Sequence, residues 1–180
     1  VGFLIAAAPR AYAGVKEGDH FVELDGAKAA NGKTFKLSAM AGHWVLYTFG
    51  AKWCEPCHKE LPAWDKVASR LAGKVIFVAV NINNDADEGK AFVKSLGLKH
   101  MLPVFLPADK SEAMKTYDPD HMPSTFVIDP KGVVRLVEYG YEKASGGLFK
   151  NESIFNRNEQ SWSLKPGRPA IAGIVIYAQA

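Results

Sequence analysis

Trp44-Val45-Leu46-Tyr47-Thr48-Phe49-Gly50-Ala51-Lys52-Trp53-Cys54-Glu55-Pro56-Cys57-His58 decides how this chain is read. Its first six residues are a continuous apolar and β-branched run, the pattern of a strand buried on both faces of a sheet, and Gly50 ends it. Beyond the cysteines, Cys57, Leu61, Trp64, Ala68 and Leu71 recur at spacings of three and four, which predicts one face of a helix closing near Gly73. Pro62 inside that helix is expected to bend it, because it removes a backbone donor and crowds the preceding turn. The strand therefore delivers two cysteines to a helix start, where unpaired amides and the positive dipole end favour a thiolate over a thiol. Cys54 is expected to be the exposed, reactive sulfur. Cys57, one turn further in, lies close enough to resolve a mixed disulfide on Cys54. Pro56 pre-sets the helix start at the cost of a donor that is not needed there. Glu55 places negative charge beside the thiolates, which raises their pKa values and makes the pair less oxidising.

Outward from this stretch, Val75–Val80 reads as a second buried strand, Asp87–Leu96 as a helix stopped by Gly97, and Val104–Leu106 as a short third strand followed by a helix through Ala113-Met114-Lys115. Strand alternating with helix signals parallel pairing. Thr125–Asp129, the turn Pro130-Lys131-Gly132 and Val133–Val137 read instead as an antiparallel hairpin, so the expected fold class is α/β with a mixed central sheet flanked by helices. Towards the N-terminus, Phe21–Leu24 and Thr34–Leu37 are expected to form a further hairpin, between the turn residues Asp25-Gly26 and Asn31-Gly32.

With 180 residues, 48% of them hydrophobic, the chain suits one domain with a real core. Its 22 basic and 19 acidic residues are dispersed and give a net charge of +3, so nothing points to nucleic acid. Residues 1–13 hold an apolar run, Val1–Ala8, followed by Ala11-Tyr12-Ala13, and are expected to be the remnant of a secretory signal cleaved after Ala13. That run is too short to span a bilayer alone, and a membrane tether stays open. Residues 14–145 are expected to form the domain. Residues 146–180 show a diffuse helical pattern and a final strand at Ile174–Tyr177, and form a helix or tail of no assigned role.

A Cys-x-x-Cys pair has rival readings. Half of a zinc site lacks a second cysteine pair, and His20, His43, His58, His100 and His121 do not have the usual H-x3-5-H spacing, so no metal site is expected. Cys54-Glu55-Pro56-Cys57-His58 matches the covalent attachment site of c-type haem, with His58 as axial ligand and Met40, Met101, Met114 or Met122 as a second, and a haem electron-transfer protein is the alternative function. The pentapeptide alone does not decide. The α/β context disfavours haem, and so short a loop makes a purely structural disulfide ineffective.

Thr48–Pro62, taken with Met122-Pro123-Ser124-Thr125-Phe126-Val127-Ile128-Asp129-Pro130-Lys131-Gly132, resembles the TlpA/ResA-like thioredoxins over about Gly18 to Tyr141. The resemblance implies a thioredoxin fold with a helix and strand inserted between the Cys-x-x-Cys helix and a cis-proline. It implies a protein thiol–disulfide oxidoreductase, periplasmic or otherwise extracytoplasmic, soluble or anchored through its N-terminus. Such a protein acts more as reductant than oxidant on disulfides of exported proteins such as apocytochrome c, in cytochrome c maturation, and is recharged by a membrane thiol donor. No cofactor beyond a redox-active Cys54–Cys57 disulfide is implied. Pro123 matches the cis-proline opposite the cysteines, where Met122 offers its backbone to an extended substrate, and Trp53, Glu55 and Pro56 complete the implied substrate-binding set. Glu60 matches an acidic residue that ResA-like members place near the cysteines, which is read either as a carboxylate that accepts or returns a proton during exchange or as a solvated helix glutamate. Thioredoxins proper carry a buried acid six residues before the first cysteine, where this chain has Thr48, a departure that favours Glu60 as the proton carrier. Trp64 and Phe49 are assigned to the core.

Overall fold

The computed structural model describes residues 14–117 and 121–140, together with two short strands, Phe155–Asn156 and Ser161–Trp162. A six-stranded mixed sheet organises the chain: β1 (Lys28–Ala29), β2 (Trp44–Gly50), β3 (Val75–Asn81), β4 (Leu102–Phe105), β5 (Ser124–Ile128) and β6 (Val134–Tyr139), in the order β1-β4-β3-β2-β5-β6. The pairs β2–β3 and β3–β4 are parallel and the other three are antiparallel. Helices α1 (Cys57–Arg70) and α2 (Ala86–Leu96) make the two parallel crossovers, and α3 (Glu112–Tyr117) precedes β5. This is a thioredoxin fold, with α2 and β4 between the cysteine helix and Pro123.

Alternation along β2 explains why its sequence is apolar throughout. Val45, Tyr47 and Phe49 enter one core with Val80, Tyr117 and Phe126, whereas Leu46 enters the other with Leu61, Trp64, Phe77 and Phe92. The period of two thus feeds two layers, one beneath α1 and α2 and one beneath α3 and the N-terminal segment. Pro62 lies within α1 and does not end it. Gly97, in the left-handed region, closes α2, and Asp85 opens it by accepting from the amides of Asp87 (2.9 Å) and Glu88 (2.7 Å). Asp85→Ala is expected to lower stability by about 1 kcal/mol, read as a fall in the urea midpoint at constant slope.

Two expectations shift. The N-terminal hairpin exists, but its arms are Ala27–Ala29 and Lys33–Phe35, joined by a bridge between Lys28 and Thr34 and by Phe35 N–H donating to the Ala27 carbonyl (2.9 Å). Phe21–Leu24 forms no strand. It is tied down instead by Phe21 N–H to the Gly132 carbonyl (3.0 Å) and Val22 N–H to the Tyr117 hydroxyl (3.1 Å), while Leu24 is fully buried. Tertiary anchoring replaces pairing there. In the C-terminal region, Phe155–Asn156 and Ser161–Trp162 pair as antiparallel strands, β7 and β8, where a helical pattern was expected. The apolar run 1–13 and Ile174–Tyr177 lie outside the described residues.

Candidate active site

The site is built at the carboxyl end of β2, the central strand. From Gly50 the chain turns through Cys54, whose amide donates to the Ala51 carbonyl (3.1 Å), into α1, which starts at Cys57. Cys54 and Cys57 are joined by a disulfide, with Cα atoms 5.3 Å apart. The Cys57 amide, at the helix start, is shared between the Cys54 carbonyl (3.0 Å) and Cys54 Sγ (3.2 Å). An amide so directed stabilises negative charge on Cys54 when the bond is opened. Gly50 allows this close packing, because a Cβ there would lie 3.0 Å from Leu61 Cδ1 and 3.7 Å from Cys57 Sγ.

Cys54 is less open than the sequence suggested. Only 4% of it is exposed, against none of Cys57. In the disulfide state its sulfur folds back over the first turn of α1 to meet the Cys57 amide, which takes it away from solvent. Its neighbour Trp53 is the exposed group, at 64%. Glu55 is exposed and pairs loosely with Lys59 (3.7 Å), and Pro56 is half-buried.

Strand register brings the second motif to the first. Ser124 of β5 pairs with Phe49, which sets Pro123 level with Gly50, against the cysteine turn. The Met122–Pro123 peptide bond is cis. Pro123 is buried, with its carbonyl taken by the Gly140 amide (2.7 Å), and Met122 is half-buried at the rim where both apolar layers meet.

Glu60 lies on α1 with 1% of its surface exposed. Its Oε1 accepts from Trp64 Nε1 (2.8 Å) and the Thr125 hydroxyl (2.7 Å), and Thr125 in turn meets the Thr48 hydroxyl (2.8 Å). Oε2 is buried with no hydrogen-bond partner. Burial pushes the Glu60 carboxyl up to about 7; the bonds from Thr125 and Trp64, and the Thr48 hydroxyl beyond Thr125, oppose the rise and the charge of Glu138 adds to it. The acid thus reaches the Thr48 position from the helix, where thioredoxins proper supply it from the strand. Sequence reasoning left Thr125 unassigned and gave Trp64 only a packing role. Their signal was polarity out of place: Thr48 and Thr125 each interrupt a buried apolar strand, and they are partners in the β2–β5 register.

The sequence profile of the AhpC/TSA family matches residues 18–137. The thiol–disulfide oxidoreductase ResA of Bacillus subtilis is 37% identical over 109 residues, a match that spans 59% of each chain. The thioredoxin-like protein YneN of the same organism is 30% identical over 127 residues, 71% of this chain and 74% of that one. Among solved structures, a Chlorobium tepidum chain assigned as the thiol:disulfide interchange protein DsbE superposes with a TM-score of 0.65 at 27% identity, covering 73% of this chain and 90% of that one. The exposed lipoprotein thioredoxin Etrx1 of Streptococcus pneumoniae gives 0.57 at 25% identity, covering 67% and 90%. The match thus spans about three fifths of the ResA chain.

Proposed function

The chain belongs to the AhpC/TSA family, among its ResA-like thiol–disulfide oxidoreductases, and from that premise we propose that it reduces disulfides of exported proteins, apocytochrome c among them. The observation that carries the proposal is the Cys54–Cys57 disulfide at the first turn of α1, with an amide directed at Cys54 Sγ. In the reduced protein the Cys54 thiolate attacks a substrate disulfide, forming a mixed disulfide and expelling one substrate thiolate, which takes up a proton. Cys57 then gives its proton to the Glu60 carboxylate and attacks Cys54 Sγ. The second substrate sulfur leaves as a thiolate, which takes up a proton, and the Cys54–Cys57 bond re-forms, so two electrons have passed to the substrate. A membrane thiol donor restores the dithiol. Trp53, Glu55 and Pro56 on one side, and Met122 with Pro123 on the other, line the approach, and the Met122 backbone pairs with an extended substrate segment.

The reducing direction is supported by the TlpA/ResA-like resemblance and by Glu55, whose charge disfavours the thiolates. An extracytoplasmic location is supported by the apolar run before Ala13 and by the surface lipoprotein among the relatives. Among the described residues no helix is long and apolar enough to cross a membrane. A dithiol centre is favoured over haem attachment because the two sulfurs are bonded to each other and His58 Nε2 is turned to the Lys52 carbonyl (2.8 Å). The direction is tested by equilibrating the protein with glutathione and dithiothreitol couples. A reduction potential near that of thioredoxin, about −270 mV, is expected, and one near the oxidant DsbA, about −120 mV, overturns it.

A further inference from the structure

Lys52, two residues before Cys54, is held at every polar group. Its amide donates to Asn83 Oδ1 (3.0 Å), its carbonyl faces His58 Nε2 (2.8 Å) and its ammonium meets Glu88 (2.9 Å). Because a carbonyl only accepts, Nε2 carries the proton in the His58 contact. Asn83 is itself fixed: it is 3% exposed, its Nδ2 donates to Glu88 (2.7 Å), its amide donates to Asn81 Oδ1 (3.1 Å) and its Oδ1 also accepts from Asn81 Nδ2 (3.0 Å). Helix α2 closes the assembly. A Cβ on Gly89 would collide with Asn81 Oδ1, so only glycine lets α2 lie this close, and Phe92 rests against the His58 ring with centroids 5.0 Å apart.

The strengths of these contacts are unequal. The Lys52–Glu88 pair is exposed at both ends, at 57% and 43%, and is screened by water and salt. The Asn83 side-chain carbonyl and the His58 ring hold backbone instead, the first in a part-buried bond to the Lys52 amide and the second in an exposed one to its carbonyl, where water can satisfy the carbonyl without fixing its direction. We infer that Asn83 and His58 are positioning residues of the exchange reaction: by fixing both backbone groups of Lys52 they set where Cys54 Sγ stands against an incoming disulfide. The inference gives the histidine of the C-x-x-C-H run a task unconnected with haem, and makes the helix between β3 and β4 a brace for the reactive turn. It rests on Cys54 being the attacking sulfur.

The test measures the second-order rate constant for oxidation of the reduced protein by oxidised glutathione, with the melting temperature recorded for each variant. His58→Ala and Asn83→Ala are each expected to be slower by about tenfold, as misplaced reacting groups are. His58→Gln, whose side-chain amide can still donate to the Lys52 carbonyl, is expected to recover a rate within about twofold of the parent, with His58→Ala melting at the same temperature. His58 is on the surface, so this pair of variants carries the test alone should Asn83→Ala fail to fold. Equal rates in His58→Ala and the parent, or a glutamine variant as slow as the alanine one, overturn the inference. A parent protein inert to glutathione strikes the exchange chemistry itself, which keeps the two failures apart.

Discussion

Cys57→Ala protein is expected to be recovered from its own compartment covalently joined to its substrates, whereas Cys54→Ala is expected to be recovered unjoined, with exchange activity at the uncatalysed background. The asymmetry follows from position. Cys57 is wholly buried at the start of α1, so no partner sulfur reaches it directly, while Cys54 has the remaining exposure and the directed amide. Removing the inner sulfur therefore leaves the attack intact and deletes the step that resolves it. Non-reducing gels before and after dithiothreitol, with mass spectrometry of the released chains, read the result. An absence of adducts in Cys57→Ala, combined with retained activity in Cys54→Ala, would remove the assignment of roles.

Glu60→Gln is expected to abolish a pH dependence that the parent protein shows. The carboxyl titrates near 4.5 when unfolded and near 7 when folded. As pH rises from about 4.5, the unfolded chain releases this proton first, so over that interval it binds fewer protons than the native state and stability falls. The contribution is fully present below the unfolded value and lost as pH passes through about 7, a difference of about 3 kcal/mol. Glutamine, neutral throughout, is expected to flatten this part of the profile and to make the oxidised protein the more stable of the two at pH 8. Denaturant titrations of the oxidised form at pH 4, 6 and 8 check it, since the bonded cysteines do not titrate. The same substitution is expected to slow exchange by about a hundredfold at pH 7, in the range of a lost proton-transfer group. Parallel stability profiles for parent and variant would show that the buried carboxyl is not the titrating group.

Much of this arrangement was legible in the chain. Apolar β2, the cysteine turn and the helix with period 3.6 are local patterns, and each appears where the spacing put it, because β2 is buried on both faces and α1 buries one face against the sheet. Pro123 was legible only through the likeness of its surrounding motif; the β2–β5 register supplies the reason it faces the cysteines. What escaped was set by contacts distant in sequence. Thr125 lies 65 residues from Glu60, and Asn83 lies 31 from Lys52. No periodicity signals a side chain whose task is to bind a backbone group elsewhere. The N-terminal hairpin was misplaced for a related reason: Phe21–Leu24 has the composition of a strand, but Gly132 and Tyr117 provide its hydrogen-bond partners and the pairing passes to Ala27–Phe35.

Strand β2 is paired along nearly its whole length on both sides, with β3 through Trp44–Gly50 and with β5 through Val45–Phe49. Amide protons of Leu46 to Phe49 are therefore in the class that exchanges with deuterium only when the whole domain opens. The reactive turn is mounted on a strand held on both sides, so adaptation is expected to fall to the other partner in the encounter. Disulfides carried on slack, extended segments are therefore expected to react faster with this turn than those clenched inside a finished globule.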